Sequence, residues 1–367
     1  MNTSARLLLS AILLVSVLTG CASKKQTFSN LDRDGLLSAL RDGAAAGKIL
    51  YGHQDDAVYG HAWCVSDPAN DPLDRSDIRD VSGRYPAVAG FDLGGIELGD
   101  DCNLDGVPFD LMRRAALKQI ERGGVVTFSW HPRNPLTGGD AWDISSDEVV
   151  WSILPDGEKH EEFMKWLERA ADFIASLDDV PVIFRPWHEN NGSWFWWGWR
   201  LCSAREYQAL YRMTHDYFTQ ERGLTNILWC YSPNGPFSAI DYLSRYPGDD
   251  IVDLLGADIY EFVGEDGLAA AGERFSAQVR ETLATLSAIG AEHGKPVCLS
   301  ETGLESLPDP NWWMEALYPA IQGSGITYVL TWRNAHDKPG HFFAPWKGFE
   351  NEGDFKEFCN QEDIVLL

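Results

Sequence analysis

The stretch Val180-Pro181-Val182-Ile183-Phe184-Arg185-Pro186-Trp187-His188-Glu189-Asn190 is a short β-branched and aromatic run that breaks into polar residues at its end. That is the pattern of a strand, and it recurs along the chain. Seven other runs share it: Lys48 to Tyr51, Ala87 to Leu93, Val125 to Trp130, Ile227 to Ser232, Val252 to Tyr260, Pro296 to Ser300 and Ile326 to Trp332. Helical periodicity marks Leu36 to Ala46, Phe109 to Arg122, Glu161 to Leu177, Ala204 to Gln220, Phe275 to His293 and Trp312 to Ile321. Strands alternating with helices predict an α/β fold with a parallel sheet. Eight such units over roughly 330 residues point to a closed (β/α)8 TIM barrel ahead of an open doubly wound sheet, because no GxGxxG opens the first helix.

The 367 residues are 44% hydrophobic and 12% aromatic, enough for one large core, although two average domains would also fit the length. The N-terminus bears on the compartment. Arg6 is the only early charge, Leu7 to Leu18 form an apolar run too short to span a bilayer, and Leu18-Thr19-Gly20-Cys21 follows. Small residues ending in Cys resemble a bacterial lipobox, so residues 1–20 are expected to be a lipoprotein signal peptide, with Cys21 acylated. Residues 21–30 then form a polar tether and 31–367 a single domain. The expected location is the bacterial cell envelope, lipid-anchored at the outer membrane, the cell surface or a periplasmic face, and the expected state is a monomer.

Of seven cysteines, six remain once Cys21 carries lipid, and none shows CxxC or Cys/His ligand spacing. No metal site and no cofactor is expected. Cys64 and Cys102 lie in polar loop sequence, where an exported protein could pair them, and the sequence leaves that pairing open. Cys230 and Cys298 sit inside apolar strand patterns and read as core. The formal net charge is −25, from 30 Lys+Arg against 55 Asp+Glu, which makes nucleic acid and anionic polymers poor partners. A neutral polysaccharide is compatible with it. The 15 tryptophans say more, because several lie in polar, Gly-rich segments where burial is hard to arrange and stacking on sugar rings is open to them.

A barrel keeps its active site at the C-terminal ends of its strands. Those ends read Phe91-Asp92-Leu93, Ser129-Trp130-His131, Arg185 through Asn190, Asp258-Ile259-Tyr260-Glu261, Ser300-Glu301-Thr302 and Thr331-Trp332-Arg333-Asn334. Hydrolysing a glycosidic bond needs two carboxyl groups, one protonated for the leaving oxygen and one ionised to attack or to activate water. Glu189 and Glu301 are the candidates. A lone strand-end glutamate is ordinarily a solvated loop carboxylate; two of them, on the fourth and seventh strands amid Trp, His and Arg, reverse that reading. Trp194, Trp196, Trp197 and Trp199 supply an apolar setting that raises the pKa of an acid at Glu189, while Arg185 or Tyr260 would keep Glu301 ionised.

The run Arg185-Pro186-Trp187-His188-Glu189-Asn190-Asn191-Gly192-Ser193-Trp194-Phe195-Trp196-Trp197-Gly198 resembles the acid/base motif of glycoside hydrolase family 26, whose members are mostly β-mannanases. Gly52-His53-Gln54, Ser129-Trp130-His131, Ala257-Asp258-Ile259-Tyr260, Ser300-Glu301-Thr302-Gly303 and Thr331-Trp332-Arg333-Asn334 extend the likeness over nearly the whole chain after the tether. The resemblance implies double displacement with retention, Glu189 as acid/base and Glu301 as nucleophile. It also implies that His131 and His188 belong to the hydrogen-bond network at the cleavage point and that Tyr260 orients Glu301. Trp332 is implied as the platform under the sugar before the scissile bond and Trp194 on the leaving-group side, with Arg333 and Asp258 binding hydroxyls further out. The implied function is β-1,4-mannan or galactomannan hydrolysis, endo- or exo-acting, to manno-oligosaccharides or mannobiose.

Two other readings stand beside it: a β-1,3-xylanase or mixed-linkage β-glucanase on the same fold, and a glycan-binding surface lipoprotein that has lost catalysis, against which both glutamates being present argues. Core packing is the ordinary reading for Trp187 and Trp229. Asn191-Gly192-Ser193 is discounted as a glycosylation acceptor, and Asp67 to Asp80 lacks EF-hand spacing and reads as a solvated loop.

Overall fold

The computed structural model describes residues 28–367; the apolar leader, its cleavage point and Cys21 lie outside them. Eight parallel strands close into a barrel: β1 (Ile49–Gln54), β2 (Val88–Asp92), β3 (Val125–Trp130), β4 (Val182–Pro186), β5 (Ile227–Tyr231), β6 (Leu254–Glu261), β7 (Val297–Leu304) and β8 (Tyr328–Thr331). Each pairs with its sequence neighbour, and β8 returns to β1 with Leu50 opposite Tyr328 and His53 opposite Thr331. The two-residue strand Ile364–Val365 adds in parallel alongside Ile49 and Leu50.

Side-chain alternation divides the strands between two cores. Leu50, Val88, Val125, Ile183, Leu228, Leu254 and Tyr328 fill the lower lumen with Cys230 and Cys298, and Phe28, Leu36 and Leu40 cover them from below. Tyr51, Val126, Phe184 and Trp229 face outward to the helices. Cys230 and Cys298 are thus the core residues their strand patterns predicted, whereas Cys64 and Cys102 are both free thiols. Trp187 and Trp229 are buried, as core packing requires.

All eight expected runs are strands, and the differences lie at their ends. The seventh runs four residues past its expected stop because its ladder with β6 continues from Asp258–Glu301 to Glu261–Leu304 beyond a register shift at Ala257/Asp258. The helix expected from Phe275 starts at Leu268, where Ala269-Ala270-Ala271-Gly272 carries no apolar periodicity. The first helix begins at Arg33 under the cap of Asp32, whose side chain accepts the Gly35 N–H. The stretch 67–80 is more than a solvated loop: Ser76 caps a helix over Asp77–Ser82, and Asp77 is buried, accepting Trp63 Nε1 at 2.7 Å and Asn334 Nδ2 at 3.0 Å. Among the described residues no helix is long and apolar enough to cross a membrane.

Candidate active site

The C-terminal ends of the strands open into a cleft of about 520 Å3 walled by His131, Glu189, Trp194, Tyr260, Glu301 and Trp332. After β4 the backbone enters the left-handed region twice, at Trp187 (φ 56°) and Glu189 (φ 51°). Such conformations cost about 1–3 kcal/mol for residues other than glycine and persist only where surroundings enforce them. Trp187 is wedged among Trp130, Trp196 and Trp197 at ring distances of 5.3 to 5.5 Å, and the Glu189 N–H donates to the Ser232 carbonyl at 2.8 Å. The double turn aims Glu189 into the cleft, where Trp194 Nε1 donates to Oε2 at 2.7 Å.

Glu301, inside β7 just past the register shift, is held on both oxygens. Arg185 Nη2 donates to Oε1 in a buried ion pair and the Tyr260 hydroxyl donates to Oε2 at 2.7 Å. One carboxylate oxygen from each of Glu189, Glu301 and Asp258 lies within 4.8 Å of the others. Three acids this close cannot all stay ionised around a single guanidinium. Burial, with the Asp258 and Glu301 carboxylates beside it, pushes the Glu189 carboxyl well above its usual range. Burial also raises Asp258 to about 7, with Arg185 opposing and Glu301 adding.

Asp258 does not stand where the motif reading put it. It has no exposed surface, so it reaches no sugar hydroxyl further out; it accepts Arg185 Nη1 at 2.9 Å and Ser300 Oγ at 2.6 Å beneath the cleft floor. Its position, opposite Glu301 in the β6–β7 register, makes it an anchor for Arg185.

His131 and His188 do meet, Nε2 to Nε2 at 3.0 Å, and His131 Nδ1 lies 2.6 Å from Asp92 Oδ2. Asp92 also accepts Ser129 Oγ at 2.6 Å and the Gly94 N–H at 2.8 Å. Although burial opposes both charges, this contact holds Asp92 at about 2 and lifts His131 above the ordinary histidine value. Burial and the nearby Arg185 and His131 drive His188 well below it. The surroundings thus favour the charged form at His131 and the neutral form at His188.

Trp332 is partly buried on the cleft wall, and Trp194 is 38% exposed across from it. Beyond Trp332 a second compartment of about 310 Å3 continues to Asp92, Leu104, Asp105, Arg333 and Lys338. Arg333 sits there but is not free: Nη1 pairs with Asp105 at 2.7 Å and meets the Tyr59 hydroxyl at 3.3 Å, and Tyr59 in turn donates to Asp55 at 2.8 Å. Asp105, Tyr59 and Asp55 come from long loops after β1 and β2, and sequence reading did not single them out. Trp142 was missed too, although it is one of the tryptophans in polar sequence; 48% exposed, it stacks on His131 with ring centres 5.3 Å apart.

Fold and cleft define a (β/α)8 barrel with paired glutamates at its C-terminal mouth. The family model for glycosyl hydrolase family 26 matches residues 43–294, and the chain belongs to that family. A GH26 β-mannanase structure from Bacteroides ovatus superposes with a TM-score of 0.85 at 43% identity, covering 91% of this chain and 94% of that one. A mannan endo-1,4-β-mannosidase of Bifidobacterium adolescentis is 32% identical over 343 residues, 87% of this chain and 34% of its own length. One from Bacillus subtilis strain 168 is 31% identical over 223 residues, 54% of this chain and 58% of its own. The chain thus spans a third and somewhat over half, respectively, of these two relatives.

Proposed function

We propose that the chain is a retaining β-1,4-mannanase. The observation that carries this reading is the facing of Glu189 and Glu301 across one cleft with oxygens within 4.8 Å, a spacing on the side of the about 5–5.5 Å of retaining glycosidases and short of the about 6.5–9.5 Å that inverting ones need. Mannan-cleaving relatives supply the substrate class.

In the first displacement Glu189, kept protonated by its raised pKa, gives its proton to the glycosidic oxygen while Glu301, fixed by Arg185 and Tyr260, attacks the anomeric carbon. The C–O bond to the departing chain breaks, the new alcohol leaves past Trp194, and a glycosyl ester on Glu301 remains. Neutralising Glu301 removes one of the charges that raised Glu189, so Glu189 now accepts a proton from water. That water attacks the anomeric carbon, restores the original configuration and frees Glu301. Asp258 keeps Arg185 paired while Glu301 is esterified, so the buried cation is never stranded.

The wall that Arg333 and Asp105 form beyond Trp332 supports short products, mannobiose among them, from the sugar side of the cut. We further propose that residues 1–20 are removed, that Cys21 carries the lipid of a bacterial envelope protein, and that residues 31–367 work as a monomeric catalytic domain. The test is the product profile of the form lacking residues 1–21 on linear mannan, galactomannan, β-1,3-xylan and lichenan. Early mannobiose or mixed manno-oligosaccharides bear the reading out; silence on mannan with cleavage of another polymer moves the substrate and keeps the mechanism.

A further inference from the structure

Phe262 is 78% exposed, on the rim of the cleft that holds Glu189 and Trp194. Water contact of that extent for a large aromatic side chain is unfavourable, and the local geometry enforces it. At the end of β6 Tyr260 donates to Glu301 at 2.7 Å and Glu261 Oε2 accepts Trp312 Nε1 at 2.8 Å, and both residues line the cleft. Phe262 follows the last residue of β6 and lines the same cleft. Arg274 ties the loop, donating to the Phe262 carbonyl at 3.3 Å and pairing with Asp266. The ring is therefore an exposed part of the cleft rim, carried by a tethered loop.

Its place along the cleft is also defined. Glu189, Trp194, Asn234 and Phe262 line the main cleft and are absent from the compartment of Asp105 and Arg333, so Phe262 lies toward the departing chain. We propose that Phe262 is a stacking platform for the second sugar of the leaving chain, outward of the one at Trp194. It would take the apolar C–H face of a β-linked pyranose and so favour substrates that extend at least two sugars beyond the cut. This rests on the mannanase reading above.

The test compares the soluble chain with Phe262→Ala and Phe262→Tyr on two substrates, mannohexaose and an aryl β-mannobioside whose leaving group reaches only the Trp194 position. The expected result is that Phe262→Ala loses about tenfold more kcat/KM on mannohexaose than on the aryl glycoside, mainly through KM, and that Phe262→Tyr restores it. Equal losses on the two substrates, or no loss on mannohexaose, overturn the platform while leaving the mannanase reading intact. A wild-type chain inert on both substrates overturns that reading and this inference with it. Matching thermal unfolding midpoints for the three proteins exclude a folding defect as the cause.

Discussion

Replacing Tyr260 by Phe removes a single hydroxyl and leaves the ring against Phe343, 5.6 Å between centres. What is lost is the 2.7 Å donation to Glu301 Oε2; Arg185 still holds Oε1, so the carboxylate keeps its charge partner but gains freedom to rotate. Burial and the Glu301 charge push the Tyr260 phenol well above its ordinary pKa, so it is a donor at every working pH. A hydrogen bond to a charged group contributes about 1.5–3 kcal/mol. If that orientation is fully needed in the transition state, Tyr260→Phe loses about 10- to 160-fold in kcat/KM. The assay is steady-state hydrolysis of an aryl β-mannobioside beside a thermal unfolding scan. A mutant within twofold of wild type, or one whose loss tracks a collapsed midpoint, refutes the claim that Tyr260 acts by aiming the nucleophile.

Other consequences are equally direct. Glu301→Ala and Glu189→Ala should each cut mannan turnover by several orders of magnitude with circular dichroism unchanged; near-wild-type activity in either would sink the assignment. Because Glu189 must be protonated for the first displacement and its pKa is raised, activity on mannan should persist above the usual carboxyl range and fall as pH climbs through that raised value. Trp194→Phe removes a bond that favours the ionised form, so its alkaline limb should move to higher pH; a shift downward contradicts the contact. For stability, the depressed Asp92 contributes above its unfolded value of about 3.9 and loses that contribution as pH drops through about 2, whereas the raised His131 contributes below about 6.5 and loses it as pH rises through its folded value. The urea midpoint gap between wild type and Asp92→Asn should therefore be widest between those two unfolded values, and a gap that is flat with pH would mean the ion pair contributes nothing.

The barrel was legible because its evidence is local: each strand carries its own apolar run, and a run such as Val125 to Trp130 has few alternatives. Glu189 and Glu301 were legible because strand-end position is itself chemical information in this architecture. The fate of Asp258 was not, since Asp258 and Tyr260 share one face of β6 and what separates them is depth, a rise of about 7 Å along the strand that leaves Tyr260 at the cleft and Asp258 beneath it. Asp105 and Tyr59 were hidden for a different reason: they meet Arg333 across 228 and 274 residues of separation, through loops whose conformation has no periodic signature. Short helices such as Asp77–Ser82 escaped because six residues cannot display a 3.6-residue period, even with a capping serine in plain view.

Phe28 packs under the first residues of the strands, with its N–H on the Gly123 carbonyl at 3.1 Å, while Glu189 and Glu301 stand at the opposite mouth. A lipid on Cys21 would then moor the molecule by its floor. The membrane would lie behind the barrel, the entrance would look away from the bilayer, and a polymer too large to slip between enzyme and headgroups could still be threaded from the open side. Moving the anchor to the far end of a strand, as in a circular permutant opened within the 94–108 loop, should leave soluble oligosaccharides cleavable but put long mannan out of reach.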